Sequence, residues 1–227
     1  MHAAWCSKQG HDGHDPAGYA EVMPDLPLLD SVAALRVLYP EPAPDARAIR
    51  KQLAVLDAHC RAFIAHSPFL VLGTVGDVSP KGDDPGFVRV LTESCLLIPD
   101  RAGNNRIDSL RNITEDPRAA AIFFVPGITE TLRVNGRAEI TVDPHLLAPS
   151  SLNGKAPKCG IVLHVEEVFL HCAKALLRSR LWQPDAWPDT SDMTPPKGML
   201  AEQTGTNDGG AGYDASIRAA MKDEGRA

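Results

Sequence analysis

No stretch of this sequence stays apolar for the roughly 20 residues that a membrane-spanning helix needs, so no helical membrane span is expected. An excess of basic charge is also missing. The formal net charge is -6, whereas a general binder of nucleic acid or anionic lipid needs a cationic face. No nucleic-acid or membrane partner is therefore expected. The opening residues, Met1 to Pro16, are polar and contain His2, His11, His14, Asp12 and Asp15 but no apolar secretory core. Their character places the expected protein in the cytoplasm. The five cysteines (Cys6, Cys60, Cys95, Cys159 and Cys172) are odd in number and form no C-x-x-C pair. That argues against a disulfide framework and a structural zinc site alike, and no metal is expected.

Familiar catalytic signatures are missing as well. No G-x-S-x-G elbow occurs, so a serine hydrolase has no support. Gly154-Lys155 lacks the upstream glycine and the following Ser or Thr of a phosphate-binding P-loop, and Gly209-Gly210-Ala211-Gly212 follows no strand and reads as a flexible loop. There is no internal repeat. Strands and helices do not alternate regularly, which disfavours a doubly wound parallel sheet.

What the sequence does contain is a series of short strand signals between helical ones. A tail, residues 1–27, shows no usable periodicity. A short helix is expected over Leu28 to Leu38. A longer one should start near Asp45, with Ala46, Ile49, Leu53, Leu56, Cys60, Phe63 and Ile64 stepping by three and four up to Pro68. Strands are expected at Phe69–Leu72, Val78–Ser79, Phe87–Leu91, Cys95–Ile98 and Ala119–Val125, with a helix over Asn105–Glu115 stopped by Asp116-Pro117. Thr131 to Val142 alternates most clearly: Leu132, Val134, Ala138, Ile140 and Val142 face one way, the polar residues the other. Ile161, Leu163 and Val165 alternate likewise. The spacing of Phe169, Cys172 and Leu176 predicts a final helix over Val168–Trp182, and residues 185–227, rich in Pro, Gly, Asp and Thr, read as a surface extension. The expected fold class is α+β, a mainly antiparallel barrel with flanking helices. The core domain would span residues 28–184.

One segment carries chemistry. Arg89 lies in an otherwise apolar strand, and Gly103-Asn104-Asn105 leads into a predicted helix with Arg106 in its first turn. A cation at a helix N-terminus opposes the dipole unless an anion sits between them. Either Arg89 and Arg106 point to solvent or pair with Asp100 and Asp108, or they hold a phosphate. On the predicted final helix, His171, Lys174, Arg178 and Trp182 share one stripe, which could be a solvated face or the cover of an anionic ligand or partner. Cys172 beside His171 points about 100° away on a helix, so the two do not form a nucleophile pair.

The runs PGFVRVL, GNNRIDSLRNITEDPR, TLRVNGRAEI and VEEVFLHCAKALLRSRLW, in series over Leu28 to Pro184, resemble the pyridoxamine 5′-phosphate oxidase-like FMN-binding split-barrel family. The resemblance implies a six-stranded split barrel, a homodimer with FMN at the subunit interface, and an FMN-dependent oxidoreductase of a small-molecule substrate. It implies that Arg89, Val90 and Leu91 run along the ribityl phosphate, that Ile98 and Pro99 touch the isoalloxazine, and that Asn105 and Arg106 hold the phosphate. Thr131 falls where the oxidases usually place Gln against the flavin. Lys174, Arg178 and Trp182 would approach from the other subunit, and Ser79 and Lys81 lie on the strand leading into the site. The basic C-terminal motif that grips pyridoxal phosphate is missing: the chain reads Arg180-Leu181-Trp182-Gln183-Pro184 and then turns polar. Oxidation of pyridoxamine phosphate itself is not expected. A split barrel using a deazaflavin or haem, and a non-catalytic flavin-binding or sensing dimer, stand as the alternatives.

Overall fold

The computed structural model describes residues 28–206 and 211–223, which divide into a unit ending at Ala46 and a unit from Arg47 onward. The N-terminal histidines and Cys6 lie outside the described residues. Among its described residues the first unit holds one helix, α1 (Val32–Leu38), capped by the Ser31 hydroxyl, which accepts from Ala34 N.

The second unit opens with α2 (Arg47–Arg50) and α3 (Ala58–His66). The single long helix expected from Asp45 is therefore two short ones. Its predicted middle is claimed by the sheet: Leu53 exchanges both backbone hydrogen bonds with Val168, and Leu56 N donates to Glu93 O. Asp57 then restarts the helix, its carboxylate accepting from Cys60 N at 2.7 Å. That hydrogen bond holds the Asp57 carboxyl below its ordinary value. The cap's contribution is therefore full above the unfolded-state value of about 4 and is lost as pH falls through the depressed folded value. Asp57→Ala is expected to cost about 1 kcal/mol at neutral pH, read by urea unfolding, and the difference from wild type should shrink at acid pH.

Among the described residues seven strands follow: β1 (Phe69–Thr74), β2 (Asp77–Gly82), β3 (Arg89–Thr92), β4 (Cys95–Pro99), β5 (Arg118–Phe124), β6 (Thr131–Thr141) and β7 (Gly160–His171). They form one antiparallel sheet in the order β2-β1-β5-β6-β7-β4-β3. Leu70 and Leu72, one strand in from one edge, share a core with Leu96 and Ile98, one strand in from the other. The sheet therefore curls around a single interior. This is the expected α+β split-barrel architecture, with seven strands where six were expected. Helix α4 (Asp108–Glu115) packs on β1, β2 and β6 and buries Ile113, while α3 contributes Cys60 and Ile64.

The β6–β7 ladder is the longest, and it settles the end of β7. Thr131, Leu132, Arg133 and Val134 pair with His171, Leu170, Phe169 and Val168. Those residues are strand, not the start of the predicted helix, because a full set of cross-strand partners outweighs a three-four spacing of apolar residues. A short helix α5 (Pro144–Leu147) precedes β7. After it, α6 covers only Lys174–Ser179, and Arg180 in the left-handed region ends it. The residues after Pro184 include two further helices, α7 (Pro196–Thr204) and α8 (Ala211–Asp223), joined by an ion pair between Lys197 and Asp214. Gly205, at φ 63°, terminates α7. Ala211-Gly212, read from the sequence as loop, instead open α8.

Among the described residues, no helix is long and apolar enough to cross a membrane, and no group of three or more His, Cys, Asp or Glu side chains converges as a metal site would.

Candidate functional site

Strand β2, the 100–107 loop, the start of α4 and the 152–158 segment enclose a cavity of about 800 Å³, within the range of roughly 300–1,000 Å³ found for small-molecule sites. Lys81, Arg101, Arg106, Lys155 and Lys158 bring cations to it, Asp77, Asp100, Asp108 and Asp223 bring carboxylates, and Val78, Leu110, Leu152 and Pro157 supply apolar wall.

The loop into α4 has unusual backbone. Asn105 and Ile107, on either side of Arg106, both lie in the left-handed region, at φ 60° and 53°. For β-branched Ile107 that conformation is strained, and such strain concentrates at ligand-binding segments. It also explains why the helix begins at Asp108 and leaves Ile107 exposed, where the sequence placed Ile107 inside the helix. Ile107 as N-cap offers no side-chain acceptor to the first-turn N–H groups. Asn104 Oδ1 accepts from Arg106 N at 3.1 Å, fixing the turn.

Asp108 gathers two arginines, accepting from Arg106 Nε at 2.8 Å and from Arg111 Nη2 at 3.1 Å. The hydrogen bond to Arg106 lowers the Asp108 carboxyl from its ordinary value, and the same contact raises Arg106. Behind them, buried Ser109 donates to Ser79 Oγ at 2.8 Å, and Ser79 donates to Asp77 at 3.2 Å. The first bond pins the helix start to β2, and the second, within β2, orients Ser79. The donor set and the uncapped helix start fit a phosphate ester.

Of the thirteen residues expected in the site, Ser79, Lys81, Asn105 and Arg106 line this cavity together. Arg89 lines a neighbouring cavity of about 210 Å³, and the two cavities share Arg101 and Leu152. Its guanidinium donates to Leu146 O at 2.6 Å. Val90 and Leu91 continue the same strand, half-buried, and Val90 packs against the core. Ile98 and Pro99 are buried, so their part here is to aim the Asp100–Arg106 loop that continues from β4. Thr131, predicted on the wet face, is 5% exposed and sits opposite His171. Lys174, Arg178 and Trp182 line neither cavity. They share no helix stripe with His171, because His171 is strand and Trp182 lies beyond the helix end. Trp182 Nε1 donates instead to Ile128 O at 2.8 Å.

Cavity residues that escaped the sequence reading include Lys155 and Lys158. Leu152 and Lys155 exchange both backbone hydrogen bonds across Asn153-Gly154, whose φ values are 49° and 74°. This is a two-residue hairpin turn with both centres left-handed, and the Asn-Gly pair is its sequence signal. The cysteines stand apart. Burial and the Asp57 contact push the Cys60 thiol up to about 11, and burial raises Cys95 and Cys159. No described cysteine lines either cavity.

The pyridoxamine 5′-phosphate oxidase family model matches residues 56–172, which hold all seven strands. The chain belongs to that family. Solved structures similar to this member include HupZ of Group A Streptococcus, 16% identical over 51% of this chain and 93% of that one, with a TM-score of 0.43. A candidate pyridoxamine 5′-phosphate oxidase from Lactobacillus delbrueckii is 25% identical over 52% and 98%, with a TM-score of 0.41. A pyridoxamine 5′-phosphate oxidase-related, FMN binding protein from Nostoc punctiforme is 14% identical over 48% and 76%, with a TM-score of 0.31. No curated protein matches the chain.

Proposed function

We propose that the chain is an FMN-binding flavoprotein that acts as an FMN-dependent oxidoreductase on a small molecule. The observation that carries this is the strained Asn105-Arg106-Ile107 loop lining a cavity that also holds Lys81. Arg106 and Lys81 supply charge for a phosphate, Asn105 shapes the loop, and Ser79 with Ser109 holds the helix start in place. The family assignment makes FMN the natural ligand of such a site. FMN, when bound, supplies the redox chemistry, and the protein positions it and sets the charge around it.

The working form is a homodimer. Lys174, Arg178 and Trp182 lie off the cavity of their own chain, so a second copy is the route by which they reach a flavin. Light scattering should give a dimer, and a monomer carrying a full complement of FMN would refute the shared site. The catalytic half of the proposal is tested by rapid mixing of the FMN-loaded protein with NADH or NADPH, followed by oxygen or a quinone. Reduction and reoxidation are expected. A bound flavin that neither nicotinamide reduces would overturn general reductase activity in favour of a sensing role or a substrate-specific oxidase.

A further inference from the structure

Helix α8 reaches the cavity through Asp223. Lys155 Nζ donates to both oxygens of that carboxylate, at 3.1 and 3.3 Å. Asn153 Nδ2 donates to the main-chain oxygen of Asp223 at 3.0 Å. Both donors belong to the Asn-Gly turn, whose paired backbone hydrogen bonds fix where they stand.

Here the Asp223 carboxylate is presented to the Lys155 ammonium in a cavity lined by several other cations. We infer that Lys155 is a further contact for the ligand's phosphate and that Asp223 is its resident substitute, so that α8 is a latch which an anionic ligand displaces. This rests on the reading that the cavity takes a phosphorylated ligand.

The latch is weak enough to exchange. The Lys155 and Asp223 side chains are 71% and 73% exposed, and pairs of that kind contribute little. The other end of the helix stays tethered through Lys197 and Asp214, so release of the last turn leaves α8 attached to α7.

The test uses the full chain, with FMN, riboflavin and inorganic phosphate as probes. Asp223→Asn should tighten FMN by roughly two- to fivefold and leave riboflavin unchanged, the range expected for removing one exposed ion pair. Asp185→Asn, which changes net charge equally, should do neither. Lys155→Gln should weaken FMN. Hydrogen exchange in the last turn of α8 should rise when FMN saturates the wild type, and be raised without ligand in both Asp223→Asn and Lys155→Gln. Unchanged FMN affinity in Asp223→Asn, or α8 exchange indifferent to ligand, overturns the latch. Failure of the wild type to prefer FMN over riboflavin would sink the phosphate reading instead. The latch is then judged with inorganic phosphate, by whether its titration releases α8.

Discussion

Gly136→Ala is expected to destabilise the chain by about 3 kcal/mol or more, enough to leave a protein of ordinary stability largely unfolded on mild heating. A Cβ at this position would lie 1.9 Å from His164 O, with His164 C and Glu166 N at 3.0 and 3.2 Å. All three are backbone atoms of β7, so no rotamer change relieves the clash. The site coincides with the register shift between Asn135 and Gly136, where the bulge brings the two longest strands unusually close. Relief would require separating the ladder at the centre of the sheet. Gly160 is a useful contrast: a Cβ there meets the Leu97 and Leu147 side-chain ends at 2.7 and 3.0 Å, which have more freedom to move. Urea unfolding of both variants should rank Gly136→Ala well below Gly160→Ala. A Gly136→Ala protein within about 1 kcal/mol of wild type would contradict the close approach.

Arg106→Ala should weaken FMN roughly tenfold to a hundredfold, the worth of a charged hydrogen bond to a phosphate, and leave riboflavin unaffected. The variant should fold normally. Arg106 is exposed, and Asp108 keeps its second arginine, Arg111, at 3.1 Å when Arg106 is removed. The loss should diminish as salt is added, since the interaction lies near the surface. Isothermal titration of variant and wild type at two ionic strengths checks it. An equal loss of FMN and riboflavin would mean that Arg106 shapes the loop without meeting the phosphate.

Local pattern predicted the fold well wherever pattern and tertiary context agree. The alternation from Leu132 to Ile140 survives because one face of β6 meets the core. Asp116-Pro117 stops α4 because Pro cannot continue it. The misses have a common cause in long-range pairing. Leu53 steps with Ile49 and Leu56 at helical spacing, yet its backbone is taken by Val168, which only the folded sheet brings near. Phe169 belongs to a strand because Arg133 stands opposite it, 36 positions back in the sequence.

The site was divided in the same way. Asn105 and Arg106 were identifiable because a cation at an anticipated helix start needs an explanation, and they do line the cavity. Lys155 carries no signal of its own in the sequence; what places it at the cavity is the Asn153-Gly154 turn before it. Asp223 gave no local signal, since its role depends on a partner 68 positions away.

The most direct measurement is a paired titration of the wild-type protein with FMN and riboflavin, which differ by the phosphate alone. A phosphate held by Arg106 and Lys81 predicts that FMN binds more tightly by roughly tenfold or more at low salt, with the gap narrowing as ionic strength rises. Equal affinity for the two at every salt concentration would contradict the assignment of this cavity to a phosphorylated flavin.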